Sequence, residues 1–190
     1  MKLRVSGDRV AEQAITGHYV GTSYNKLDCQ GFVEQVLKDL DIRKENGSFY
    51  NWKGSNSMWR NHIKWKGTIE ECRTKFGCIP NGAFLFLLKW DGGEKERGYN
   101  DGLGNASHVG LYLGTSPLPC MDSQSSRGID YCKLNVFTHV GLMDMIDYYN
   151  DPEPSVNAEL DAIHTIRNPD STDKDVLTAL KILTKYLKGV

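Results

Sequence analysis

Within its first 149 residues this chain changes hydrophobic period once, and that change most constrains what it can fold into. Early in the chain, apolar residues recur at helical spacing: Val10, Ala11, Ala14 and Ile15, then Phe32, Val33, Val36, Leu37 and Leu40. Steps of three and four residues gather side chains on one face of a helix. From Ile79 onward the pattern becomes short apolar runs divided by turn residues. These are Ala83 to Leu88, Ser107 to Leu113, Leu118 to Asp122, Gly128 to Cys132 and Phe137 to Met143. Runs of this length bounded by Gly, Pro, Asn and Ser read as strands. Helices first and antiparallel strands afterwards predict an α+β fold.

The intervening segments are weaker signals. Asp8 is expected to cap the first helix and Gly17 to end it. Gly47 to Gly67 is rich in Asn, Ser, Gly and Trp and reads as an excursion from the core, with a short helix around Met58 to Ile63. Trp90 to Asn105 reads as a polar loop. After Tyr149, Asn150-Asp151-Pro152-Glu153-Pro154-Ser155 breaks the pattern. The expected organisation is a domain at 1–149, a linker at 150–170 and a C-terminal amphipathic helix at 171–190, carrying Val176, Leu177, Leu180 and Leu183 on one side. Composition leaves the oligomeric state open.

A net charge of −1 among 25% charged residues provides no electrostatic footprint for nucleic acid. The longest apolar run, Ala83 to Leu88, is too short to span a bilayer, so no membrane insertion is expected. Met1 to Asp8 lacks the apolar stretch of a secretory signal, which predicts synthesis in a reducing cytoplasm.

Five cysteines stand at 29, 72, 78, 120 and 132, with no CxxC pair. That spacing argues against a zinc site, and no metal or other cofactor is expected. Four of the thiols read as buried and free. Cys29 differs because Asp28-Cys29-Gln30-Gly31 opens an amphipathic helix. There, backbone N–H groups point outward, favour a thiolate and can stabilise an oxyanion. A buried structural cysteine fits the same local sequence equally well. Of the five histidines, His62 and His164 read as surface residues and His18 as a turn residue. His108 and His139 both begin apolar strands, and periodicity does not choose between them.

Three motifs in order bear on that choice. Leu27-Asp28-Cys29-Gln30-Gly31-Phe32-Val33 resembles the Asp-Cys-Ser-Gly-hydrophobic motif of the NlpC-type cell-wall peptidases. Pro80-Asn81-Gly82-Ala83-Phe84-Leu85-Phe86 is similar to their next strand, and Ser107-His108-Val109-Gly110-Leu111-Tyr112-Leu113-Gly114 to their His-Val-Gly-Ile-Tyr strand. Together the motifs cover about residues 10–145, and the chain looks most like prophage-encoded members. The resemblance implies a papain-like fold, with the helix bearing Cys29 packed on an antiparallel sheet bearing His108. It implies a cysteine endopeptidase acting on peptidoglycan stem peptides, at the bond from γ-D-glutamate to a diamino acid. It also implies that the protein reaches the wall by phage lysis or within a virion.

The family's third catalytic position, commonly His, falls here on Asp122, with Gln124 as the substitute. A carboxylate there can fix the tautomer of the base and favour its imidazolium. The other reading of Asp122 is a turn cap. The resemblance further implies substrate and oxyanion positions at Tyr19, Asp28, Gln30 and Ser107, with Tyr24 as the alternative to Tyr19. It leaves His139 to a structural role or the cleft wall. Two other functions fit: a muramoyl-alanine amidase on the same fold, and a degenerate, non-catalytic part of a phage particle. Digested muropeptides separate the first, and the pH dependence of thiol labelling at Cys29 separates the second.

Overall fold

A computed structural model describes residues 4–89 and 103–148, together with the helical positions Val176 and Leu180. The chain divides into two compact units, Met1–Tyr148 and Tyr149–Val190. The expected linker and, those two positions apart, the expected C-terminal helix lie outside the described residues. So does most of the expected loop after Lys89.

The first unit runs β1 (Val5–Ser6), α1 (Gly7–Thr16), α2 (Cys29–Asp39), α3 (Ser55–Arg60), β2 (Ile63–Thr68) and α4 (Ile69–Phe76). Then follow β3 (Phe84–Lys89), β4 (Asn105–Tyr112), β5 (Cys120–Gln124), β6 (Gly128–Cys132), β7 (His139–Met143) and β8 (Ile146–Asp147). Six strands form one sheet in the order β2-β7-β3-β4-β5-β6, with every neighbouring pair antiparallel. β1 and β8 make a separate parallel pair. The architecture is α+β.

Both faces of the sheet are covered, which is why β3 reads as an unbroken apolar run. Phe84 and Phe86 join the core that also holds Val10, Phe32, Val36, Met58 and Trp59 from the first three helices. Leu85, between them, joins a second core with Cys72 of α4, Val140 and Leu142. Alternation along a strand sends successive side chains to opposite faces, so a doubly covered strand shows no polar side.

Three expectations are corrected. Ser6, not Asp8, caps α1 by accepting the Arg9 N–H, while the Asp8 carboxylate is held by the Asn81 amide at 2.8 Å. Gly47 to Gly67 is not an excursion: Trp52, Met58 and Trp59 are buried, and β2 forms the sheet edge beside β7. The strand is hard to read because its outward positions are lysines and because a register shift at Lys64 breaks the alternation. The start of α4 carries a signal that hydrophobic period does not record. Thr68 and Glu71 form a reciprocal capping box at its start. Among the thiols, Cys72, Cys120 and Cys132 are buried and free, but Cys78 is exposed.

Candidate active site

Cys29 is the first residue of α2. Asp28 caps the helix: its carboxylate accepts the Gly31 N–H at 2.6 Å, and its carbonyl accepts the Phe32 N–H at 2.9 Å. The N–H groups of Cys29 and Gln30 are left without a partner inside the helix, as the geometry of a first turn requires. The sulfur therefore sits at the positive end of the helix dipole. α2 packs on β4 and β5, and three hydrogen bonds fix its approach. Ser123 donates to the Leu27 carbonyl at 2.6 Å, Gly21 N–H to Ile129 and Ile129 N–H to Thr22, both at 2.9 Å. The last contact needs a glycine at 128, where φ is +72° and a Cβ would stand 2.3 Å from the Thr22 carbonyl oxygen.

His108 is aimed by a bulge. Leu87 pairs with His108 but Leu88 pairs with Ala106, so Ser107 is an extra residue in β4. Bulges of this kind bend a strand and redirect the side chain beside them. The imidazole stacks on Phe137, with centroids 5.7 Å apart and planes at 5°. Its Nε2 lies 2.7 Å from Asp122 Oδ2, and its other face of interaction is the Cys29 thiol. With Nε2 engaged by the carboxylate, Nδ1 is the nitrogen left for the sulfur. Gly110 makes room for this stack: a Cβ there would meet Phe137 Cζ at 2.7 Å and Asp122 Cβ at 3.1 Å.

Asp122 lies in the middle of β5, fully buried, and so is not a turn cap. Its Oδ2 also accepts from Gln124 Nε2 at 2.8 Å, and its Oδ1 pairs with Arg127. Burial alone would raise its pKa, but the His108 bond, the Gln124 bond and the two cations hold the carboxyl below its ordinary range. For His108, burial works against the charged ring. The hydrogen bonds the ring makes to Asp122 and Cys29, with their Coulombic attraction, outweigh it and raise the imidazole from 6.5 to about 9. The ring is therefore imidazolium at neutral pH.

The tyrosine beside the sulfur is Tyr24 and not Tyr19. Burial, and then the negative charge and hydrogen bond of Cys29 together with the charge of Asp28, raise the Tyr24 phenol. Tyr19 instead packs edge-on against Phe32, donates to Asp39 at 2.5 Å and accepts from Gln13 at 3.1 Å. It ties α1 to α2. Gln30 is also placed differently from expectation. Its amide donates to the Trp52 carbonyl and to Glu34, and its oxygen accepts the Gly54 N–H. The side chain is thus spent on holding residues 52–54 beside the helix start. Ser107 is corrected likewise: its hydroxyl donates to the Leu87 carbonyl at 3.3 Å, so its part is the bulge.

His139 lies on β7, with β3 between it and β4, about 10 Å away at ordinary strand spacing. It packs edge-on to Trp59 and its Nδ1 lies 2.9 Å from Thr138 Oγ1. Burial lowers its pKa, partly offset by Glu71. The structure thus gathers Cys29, His108, Asp122, Asp28, Gln124 and Tyr24, and separates Tyr19 and His139 from them. Arg127, Phe137 and Gly110 were not singled out from the sequence. Only the glycine, inside the His-Val-Gly run, left a signal.

Among the described residues, no group of three or more His, Cys, Asp or Glu side chains could hold a metal ion. No helix among them is long and apolar enough to cross a membrane. Comparison with family models, with curated proteins and with solved structures finds no match to this chain.

Proposed function

We propose that this protein is a cysteine hydrolase that cleaves peptidoglycan stem peptides through an acyl-enzyme on Cys29. One observation carries the reading: a histidine joins a helix-start thiol on one side and a fully buried carboxylate on the other. Thiol, imidazole and orienting acid in that order form the nucleophile, base and tautomer-fixing group of acyl-transfer enzymes. The resemblance of the three motifs to NlpC-type peptidases supplies the substrate class and the bond from γ-D-glutamate to a diamino acid.

The thiolate of Cys29 attacks the scissile carbonyl carbon, and a C–S bond forms as the carbonyl π pair moves to oxygen. The N–H groups at the start of α2 and the Tyr24 hydroxyl are the donors that stabilise this oxyanion. His108, protonated at neutral pH, gives its Nδ1 proton to the leaving amine as the C–N bond breaks. The neutral imidazole then takes a proton from water, whose oxygen attacks the thioester. Collapse of that intermediate releases the acid and returns the thiolate–imidazolium pair. Asp122 stays ionised and holds Nε2–H throughout.

Mass spectrometry of digested muropeptides tests the assignment. A new amino terminus on the diamino acid, absent with Cys29→Ala, is the expected result. Stem peptides freed intact from the sugar would replace it with an amidase. Full lytic activity from Cys29→Ala would end the cysteine mechanism.

A further inference from the structure

The mechanism above leaves Arg127 without a role. This arginine lies in the turn joining β5 to β6, where its N–H closes onto the Gln124 carbonyl at 3.2 Å. The same turn therefore delivers both Gln124 and Arg127 back onto Asp122, three residues upstream of its tip. Their targets differ. His108 and Gln124 occupy Oδ2, while Arg127 Nη2 pairs with Oδ1. Each carboxylate oxygen thus has its own donors, and rotating the group breaks at least one bond.

Asp122 is 0% exposed, and an ionised carboxylate in such a place needs a cation. Two are present. The charge on His108 is transient, because the ring gives up its proton in the reaction. A guanidinium does not deprotonate in a protein, so Arg127 supplies the permanent charge. Without it, the moment of proton transfer would leave a buried carboxylate against a neutral ring, and sharing a proton between them would misdirect the base. We propose that Arg127 is a positioning residue of this site, holding Asp122 ionised and in register with His108 while His108 is neutral.

Other charged or titratable groups bear on Asp122. His108 comes from β4 and Cys29 from α2 beyond it. Cys132 of β6 is acted on by Asp122 and by Cys120 of β5, and Asp130 of β6 is the cross-strand partner of Asp122. Asp130 Oδ2 stands 4.0 Å from Arg127 Nη1, too far for a hydrogen bond, and among the described residues that nitrogen has no hydrogen-bond partner. Among these described residues, none is a cation other than His108.

The inference rests on the proposed function, and its test reads the thiolate directly instead of hydrolysis. The full chain carrying Cys78→Ser, which removes the exposed thiol, is labelled with iodoacetamide across pH, and modification at Cys29 is followed by mass. Loss of Arg127 disfavours the ionised Asp122 and, through it, the imidazolium that holds the thiolate, so the acid midpoint of labelling moves up. Arg127→Met and Arg127→Gln are each expected to raise it by about one pH unit, and Arg127→Lys by less than half of that. In an Asp122→Asn background, Arg127→Met is expected to shift it by less than half as much. An unmoved midpoint in a folded Arg127→Met or Arg127→Gln protein overturns the role. So does an undiminished shift in the Asp122→Asn background, since Arg127 would then act on Cys29 directly. If labelling moves as expected while wild-type protein leaves peptidoglycan intact, the hydrolase reading fails alone.

Discussion

At the scale of single residues, the site depends on one balance: burial pushes the His108 proton off, and Asp122 with Cys29 holds it on. The held proton wins, at about 9 against an ordinary 6.5. Because the folded value is the higher one, the imidazolium contributes to stability fully below about pH 6.5. That contribution fades as pH rises through about 9. Steps that need the imidazolium fade over the same range, so kcat/KM should fall above about pH 9. In Asp122→Asn the alkaline limb is expected to move down toward 6.5, with kcat lower by about 10²- to 10⁴-fold. A pH–rate profile of both proteins checks this. The tyrosines make a paired prediction. Tyr24→Phe should lower kcat about 10- to 10³-fold with little change in melting temperature. Tyr19→Phe should cost about 1 kcal/mol of stability with kcat unchanged, because its hydroxyl serves Asp39. Locally, Cys29 read equally as a structural cysteine and His108 no differently from His139; the three motifs taken in order singled out Cys29, His108 and Asp122. Tyr24 and Tyr19 were not separable by sequence, since the choice depends on how residues 21–27 turn toward β6.

At the scale of elements, the arrangement is set by a bulge, a hairpin and a helix start. The bulge at Ser107 turns His108, and Gly110 two residues on admits the Phe137 ring against it. Gly110→Ala is expected to cost about 1–3 kcal/mol by overpacking and to lower kcat by displacing His108. Chemical denaturation and steady-state kinetics on the same preparation read both effects. The strands from β3 to β6 could be read from sequence because turn residues bound them and apolar side chains fill them. β2 could not, because an edge strand with alternate lysines and a bulge mimics a loop. Arg127 escaped for a different reason. A basic residue in a Ser-Ser-Arg-Gly turn looks like surface, and only the hairpin's return onto β5 turns it inward.

At the scale of the whole chain, both cores and every residue assigned to the site lie within Met1–Tyr148. A chain ending at residue 148 is therefore expected to melt cooperatively and to keep the kcat of the full-length protein. Calorimetry and muropeptide digestion with the two proteins check this. The α+β class followed from the change of hydrophobic period within the first 149 residues, since period records which faces are buried. What period does not record is which ends of helix and strand meet, and that juxtaposition makes a thiol into a nucleophile. The most direct measurement of it is the intact mass of the protein after rapid acid quench during turnover of a stem peptide. The account predicts a Cys29 adduct equal in mass to the acyl half of the substrate, absent in Cys29→Ala, which turns nothing over. Turnover at the wild-type rate by Cys29→Ala, with no adduct in either protein, would contradict it.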